Sequence, residues 1–199
     1  MEVLIVRVAG GDAYYKLGIS SLIINQWKGK NKKVRIVPDD AKTYHLSFDF
    51  DEEVVVIHST YFTGASHASQ LTKLPWGNIY VPFNCRRSTL AQIEGKISRI
   101  LAIPDWKIPN DFDLINIIAH NDLKRYQQLS SSEFMIITFI GQGIDCNLIS
   151  KKMDRSIKTV RTHYRSACRK LGFDNQADFF RFAKYISKNS QGVINALCL

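Results

Sequence analysis

The sequence predicts a molecule in two parts, an α/β N-terminal domain built around a parallel sheet and an all-helical C-terminal domain. Over residues 1–103, short apolar runs alternate with stretches of helical periodicity, as in strands joined by helices. Pro104 and Pro109 then interrupt the pattern, and only helical periodicity follows. We therefore divide the chain into residues 1–103, a linker and linker helix over 104–127, a helical domain over 128–190 and a tail over 191–199.

The elements of the N-terminal domain follow from residue type and spacing. β-branched runs and apolar alternation predict strands at residues 3–8, 34–37, 44–50, 54–57 and 79–83. Apolar residues at helical spacing predict helices at 14–27, 65–74 and 89–101, the last one with Ser88 as its N-cap.

The C-terminal helices are predicted mainly from their capping residues. Residues 111–127 form the linker helix, and the S-x-x-E pattern from Ser130 to Glu133 is a capping box that starts a helix over 131–140. Asp145 caps a short second helix, and Ser156 caps a third over 157–170 that Gly172 ends. A fourth helix follows over 175–186.

The positive charge of the chain is concentrated in this helical part. The 199 residues carry a net charge of +9, and residues 121–190 alone hold 13 Lys and Arg against six Asp and Glu. A localised basic field is expected of a protein that binds a phosphate backbone, although an anionic membrane surface would also favour it.

Two short helices joined by a tight turn, the second capped and basic, are typical of helix-turn-helix proteins that bind double-stranded DNA. On the predicted third helix, basic and hydroxyl side chains recur at spacings of three and four residues, so they share one face. These residues are Lys158, Arg161, Thr162, Arg165 and Arg169, with Thr159 beside them. A solvated charged face on a core helix would show the same pattern.

The spacing of further residues resembles the C-terminal DNA-binding domain of the LuxR/FixJ/NarL family of bacterial transcription regulators. The matching residues are Leu129-Ser130-x-x-Glu133, Gly143 with Ile149, Ser156-x-x-Thr159-Val160-Arg161-x-His163 and Lys170-Leu171-Gly172, in register without a gap. The chain departs from the family pattern at Ser132, Leu148, Ser150, Arg155 and Gln176. These departures concern packing and phosphate contacts, not the fold.

The resemblance implies a role for each of these side chains. Arg161, Thr162 and Arg165 match positions that contact base edges, whereas Lys158 and Thr159 would contact phosphate. The fourth helix is the dimerisation helix of the family, so we expect a dimer on a pseudo-palindromic site. Its surface would consist of Phe179, Phe180, Phe182 and Tyr185. The alternative is that these aromatic side chains fill the core of the monomer.

The N-terminal domain resembles a shortened form of the phosphoacceptor receiver domain that many family members carry. The acidic pair required after the first strand falls on Gly10 and Gly11, with only Asp12 nearby. Magnesium requires carboxylate oxygens, so this replacement argues against Mg²⁺-dependent phosphorylation.

Two alignments of the other receiver positions are open. In the favoured one, residues 44–50 are the third strand, with Asp49 or Asp51 near the acceptor position and Val81 or Pro82 in place of the lysine. In the other, residues 54–57 are the third strand, and His58 replaces the aspartate. Both leave the set incomplete, which predicts a degenerate receiver similar to those of enterobacterial regulators of capsule, curli and fimbriae.

Other functions are less well supported. The scattered histidines, the lack of G-x-S-x-G and the lack of a glycine-rich phosphate loop argue against an enzyme or a bound cofactor. We expect a cytoplasmic protein with four reduced cysteines, no membrane segment and no metal. Its partners would be DNA, a second copy or another LuxR-type regulator, and RNA polymerase. A ligand-responsive, quorum-sensing-like regulator and a protein-interaction module without DNA binding are the alternatives.

Overall fold

The computed structural model describes residues 3–27, 33–58, 78–103, 123–190 and 195–199. Five strands form one sheet in the order β2-β1-β3-β4-β5. The strands are β1 (Val3–Ala9), β2 (Lys33–Val37), β3 (Leu46–Asp49), β4 (Val54–Ile57) and β5 (Ile79–Pro82). Together with α1 (Ala13–Trp27) and α2 (Leu90–Ala102) they confirm the α/β class of the N-terminal domain.

The direction of β4 differs from the expectation of a parallel sheet. β1 pairs in parallel with β2 and β3, but β4 is antiparallel to both β3 and β5. The reason is the length of the connection, because only residues 50–53 separate β3 from β4. Parallel neighbours need a crossover of about a dozen residues or more, whereas a tight turn reverses the chain. The sheet is therefore mostly parallel with one reversed strand.

Helices α1 and α2 cover one face of the sheet. Phe48, Val55 and Val81 point into a core that also contains Ile23 and Ile97 from the helices. We call this face of the sheet the helix-covered face. The predicted N-cap of α2 is shifted by one residue, because Thr89 and not Ser88 forms a capping box, with Gln92.

Two predicted helices cannot be compared fully with the structure. The helix over 65–74 lies outside the described residues, as does most of the linker helix over 111–127. The predicted end of the linker helix is wrong, because Lys124 is extended and only a 3₁₀ turn, Arg125–Gln127, follows it. Its C-cap Gln128 is extended again, and its side chain bonds to the backbone of Cys198.

The C-terminal domain contains four helices, which we number α3 (Ser131–Gly141), α4 (Cys146–Lys152), α5 (Ile157–Leu171) and α6 (Gln176–Asn189). Helix α3 packs closely on α6, since a Cβ atom at Gly141 would lie 2.0 Å from the carbonyl oxygen of Ala183. No helix among the described residues is long and apolar enough to span a membrane.

This helical domain covers the second face of the sheet. Val54, Val56 and Tyr80 point away from α1 and α2 and belong to the same buried cluster as Phe182 and Ile186 of α6. We call this second face the domain-covered face. The two domains therefore share one continuous hydrophobic core, which the sequence pattern did not predict.

Candidate DNA-binding surface

The helix-turn-helix is fixed locally by side-chain caps. The Ser130 amide donates to the Glu133 carboxylate at 2.6 Å, and the Glu133 amide donates back to the Ser130 hydroxyl at 3.3 Å. Asp145 accepts from the amides of Asn147 and Leu148 at the start of α4. These contacts satisfy backbone donors that a helix start otherwise leaves unpaired, and they confirm the predicted caps.

Local contacts also fix the first and last residues of helix α5. The Ser156 hydroxyl accepts from the Thr159 amide at 3.1 Å and lies 2.9 Å from the Thr159 hydroxyl. Gly172 ends the helix in the left-handed region, with φ of 71°. Since the Thr159 hydroxyl is already bonded within the cap, any phosphate contact by Thr159 would share that hydroxyl.

The two sides of α5 differ in polarity. Val160, Ala167 and Leu171 are buried against the other helices of the domain. The opposite side carries exposed residues, which we call the recognition face: Lys158, Arg161, Thr162, Arg165 and Arg169. Thr159 lies at its border and is partly exposed. The structure thus brings all six predicted DNA-binding residues to one side of the domain.

The cations of the recognition face are not neutralised. Among the described residues, none of its lysine and arginine side chains forms an ion pair. Lys170, which lies outside the recognition face, differs because it donates to Glu133 at 2.7 Å. The recognition face therefore presents a positive field to solvent, as a phosphate-binding surface requires.

The Glu133–Lys170 ion pair connects the last turn of α5 to the first turn of α3. Burial alone would raise the pKa of the Glu133 carboxyl, but hydrogen bonds from Lys170, the Ser130 amide and Ser166 hold it below its ordinary value. Glu133 therefore remains ionised at neutral pH. Sequence analysis identified Glu133 only as a cap and missed its second role.

The predicted dimer residues occupy different environments. Phe179 and Phe182 are fully buried in the core of the chain, and Tyr185 packs edge-on against Tyr80 at 5.8 Å between ring centroids. Only Phe180 is exposed, at 41%. The expectation that all four form a dimer surface is wrong for Phe179 and Phe182, because α3 and the sheet already cover that side of α6.

The aspartates at the carboxyl-terminal edge of the sheet, where a receiver domain carries its acidic residues, accept hydrogen bonds from nearby backbone amides. Asp12 accepts from the Tyr15 amide at the start of α1, and Asp49 accepts from the amides of Asp51 and Glu52. Within the described residues, no group of His, Cys, Asp and Glu could hold a metal ion. In the favoured alignment Asp49 lies at the end of β3. That alignment makes residues 54–57 the fourth receiver strand, followed by Ser59 and Thr60 at the position of the receiver Thr/Ser, and these two residues lie outside the described residues.

A buried ion pair next to this edge was not predicted. The Glu53 side chain is fully buried and accepts from Arg86 Nε at 2.6 Å, while Arg181 of α6 lies 3.9 Å away. Arg86 also stacks on the Phe50 ring, with its guanidinium carbon 3.9 Å from the centroid. Within the part of the chain that the structure describes, Glu53 Oε2 has no hydrogen-bond partner. No sequence pattern marks Glu53 or Arg86, because they are brought together by the β3–β4 turn and the segment between β5 and α2.

Comparison with known families assigns the helical domain. Residues 127–183 match the family model described as bacterial regulatory proteins, luxR family. The segment is a LuxR-type helix-turn-helix domain, which confirms the resemblance and identifies a DNA-binding domain of transcription regulators. No curated protein sequence matches the chain.

Two solved structures resemble the chain distantly. A structure of two RcsB dimers bound to two parallel DNAs has 17% identity and a TM-score of 0.31, covering 93% of this chain and all of the other. An RcsB response regulator from Salmonella typhimurium has 14% identity and a TM-score of 0.29, with the same two coverages.

Proposed function

We propose that the protein is a sequence-specific transcription regulator that inserts α5 into the major groove of promoter DNA. The observation that carries this proposal is the recognition face, an exposed set of cations without an ion-pair partner among the described residues, on a helix whose opposite side is buried. An α-helix of this kind fits the major groove and can contact base edges there.

We infer separate roles for the residues of this surface. Arg161, Thr162 and Arg165 contact base edges, because an arginine can donate two hydrogen bonds to O6 and N7 of guanine. The flanking residues Lys158, Thr159 and Arg169 contact phosphates and fix the orientation of the helix.

The experiment begins with selection of bound sites from a random duplex library by the full chain. Arg161→Ala and Arg165→Ala should each weaken binding to the selected site about 5- to 150-fold. Arg99→Ala is the matched control, because Arg99 is an exposed arginine on α2 in the other domain. Equal affinity of all variants at one salt concentration would refute the assignment of α5.

The salt dependence of binding separates this proposal from a protein-interaction module. Contacts to phosphates release counterions, so the affinity should fall steeply as the salt concentration rises. Lys158→Ala should reduce that slope by about one unit while weakening all sequences alike. A chain that shows no salt-dependent retention on DNA would favour the interaction module.

We further propose that the protein binds a pseudo-palindromic site as a dimer, through the N-terminal part of α6. Phe180 borders a mostly apolar cleft of about 680 Å³ that also involves Ile144, Tyr164 and Ala177. A Phe180 side chain from a second copy could enter this cleft and occupy part of it, and two-fold symmetry makes the contact reciprocal. A heterodimer with another LuxR-type regulator is the alternative occupant.

Sedimentation of the wild type and of Phe180→Ala, with and without the selected duplex, tests the dimer. The wild type should sediment as a dimer on DNA, and the variant should sediment as a monomer or bind one half-site. A wild type that is monomeric under all conditions would refute the dimer.

Finally, we propose that the activity does not depend on phosphorylation of the N-terminal domain. This proposal is supported by Asp12 and Asp49, whose carboxylates cap local turns, and by Arg86, which lies 3.8 Å from Asp51. Incubation with a small phosphoryl donor and Mg²⁺ should leave the mass of the chain unchanged. Stoichiometric phosphoaspartate, found by mass spectrometry, would refute it.

A further inference from the structure

The C-terminal segment, residues 195–199, lies along the free edge of β5. The Tyr80 amide donates to the Asn195 carbonyl, and the Leu197 amide donates to the Tyr80 carbonyl, both at 2.8 Å. This parallel bridge makes the segment a neighbour of the sheet. Leu197 enters the core of the helix-covered face, whereas Ala196 and Cys198 enter the core of the domain-covered face. The segment therefore contributes to both hydrophobic clusters.

A single side chain of the DNA-binding domain holds the end of this segment. Gln128 Nε2 donates to the Cys198 carbonyl at 2.8 Å, and the Cys198 amide donates to Gln128 Oε1 at 2.9 Å. All groups in this pair of bonds are buried. The amide of a glutamine has both the donor and the acceptor that a backbone strand offers, so Gln128 acts as a neighbouring strand would.

The same residue is bonded to helix α5. The Gln128 carbonyl accepts from Lys170 Nζ at 2.8 Å, and Lys170 also donates to Glu133 at the start of α3. A continuous set of hydrogen bonds thus leads from β5 through residues 195–199 and Gln128 to the last turn of α5. Lys170 is not one of the residues of the recognition face, so this connection leaves the recognition face open.

We propose that residues 195–199 are a C-terminal strap that positions the recognition helix relative to the sheet, and that the strapped form is the one that binds specific DNA. This inference rests on the proposed function. Base contacts depend on the orientation of α5, whereas phosphate contacts tolerate small rotations. Loosening the strap should therefore lower affinity for the specific site and leave non-specific affinity unchanged.

Gln128→Ala in the full chain tests the strap, with Gln127→Ala as the control. Gln127 is the exposed neighbour in the 3₁₀ turn, and its substitution removes a side chain of the same type. Amide hydrogen exchange at Leu197 and Cys198 should accelerate about tenfold or more in Gln128→Ala, because two buried hydrogen bonds are lost. Gln127→Ala should exchange like the wild type.

DNA binding is measured on the same variants at a temperature where circular dichroism shows each to be folded. We expect Gln128→Ala, and a chain that ends at residue 194, to bind the selected site about 3- to 10-fold more weakly than the wild type. Binding to an unrelated duplex of the same length should not change. This loss of the specificity ratio separates a positioning role from general destabilisation.

Each outcome decides a different point. Faster exchange with an unchanged specificity ratio would show that the segment only stabilises the fold, and unchanged exchange would show that Gln128 does not hold it. Either result would overturn the proposal. A wild type that binds no duplex at all would instead refute the proposed function, and with it the part of this inference that concerns DNA.

Discussion

The two faces of the sheet are covered in different ways. The helix-covered face is packed mainly by α1 and α2, which belong to the same domain as the strands, and also by Leu197 of the C-terminal strap. The domain-covered face is packed by the DNA-binding domain, mainly through α6, and by the C-terminal strap. The first arrangement builds a core within one domain, whereas the second builds a core between two.

The difference follows from the connection between β3 and β4. A sheet with two apolar faces needs a layer on each, and a helical crossover after β3 would provide one. Residues 50–53 are a turn instead, and among the described residues the DNA-binding domain and the C-terminal strap are what cover Val54 and Val56. The lesson is that an α/β domain and a helix-turn-helix domain can depend on each other for stability.

The largest expected effect comes from the centre of the domain-covered face. Phe182→Ala should lower the free energy of unfolding by about 3–5 kcal/mol, because it leaves a cavity in the shared core. Urea unfolding followed by circular dichroism measures this loss. Phe180→Ala, at an exposed position of the same helix, should cost far less. Unchanged hydrogen exchange of the β1 amides in Phe182→Ala would show that the two cores are independent.

The second-largest expected effect is at the ion pair between Glu133 of α3 and Lys170 of α5. Glu133→Gln should lower the free energy of unfolding at neutral pH by about 1.5–3 kcal/mol, since hydrogen bonds to a charged, buried carboxylate are lost. The pKa of Glu133 is lowered in the folded chain, so its contribution is present above the ordinary glutamate pKa and is lost as the pH falls.

Unfolding curves of the wild type and Glu133→Gln between neutral and acidic pH measure this dependence. The difference between the two proteins should be full at neutral pH and should shrink below the ordinary glutamate pKa. A difference that is constant across this range would contradict an ionised Glu133.

A smaller effect distinguishes the two faces directly within one strand. Val55 and Val56 are neighbours in β4 with opposite orientations, one in each core. Replacing either by alanine should cost about 1–2 kcal/mol, the transfer free energy of the lost methyl groups. Only Val56→Ala should accelerate hydrogen exchange in α6. Equal acceleration in both variants would mean that the faces are not separately covered.

The smallest expected effect is at the buried carboxylate between the domains. Burial, opposed by the Arg86 hydrogen bond, raises the pKa of Glu53. In the folded chain, burial therefore disfavours the ionised form of the Glu53 carboxyl relative to its protonated form. Glu53→Gln should change the free energy of unfolding by less than about 1 kcal/mol at neutral pH, because Arg86 stays partly solvated.

The pH dependence at Glu53 has the opposite sign to that at Glu133. A raised folded pKa gives stability that is present at low pH and is lost as the pH rises through that pKa. On acidification the wild type should therefore gain stability relative to Glu53→Gln. A wild type that loses stability relative to this variant would show that Arg86 dominates over burial.

Local features were largely predictable from sequence. Ser130, Asp145, Ser156 and Gly172 have conformational roles that depend on only a few neighbouring residues, and the structure confirms each of them. Short apolar and β-branched runs, together with the apolar alternation at residues 44–50, likewise located the five strands. The end of the linker helix was not predictable, because a distant segment of the chain, at Cys198, bonds to Gln128.

The environment of the aromatic residues on α6 also could not be predicted from the sequence. Helical spacing places Phe179 and Phe182 on an apolar stripe, but it cannot distinguish a monomer core from a dimer surface. That choice depends on whether another layer covers the stripe. The sheet supplies part of this layer through Val54, Val56 and Tyr80, which are more than 90 residues away in the chain.

The sequence by itself determined the helix-turn-helix, its caps and the basic face of α5, because these depend on spacing within a few turns of helix. The tertiary structure decided the direction of β4, the packing of the DNA-binding domain on the sheet and the strap formed by residues 195–199. These features depend on contacts between residues far apart in the chain, and such contacts leave no periodic pattern in a single sequence.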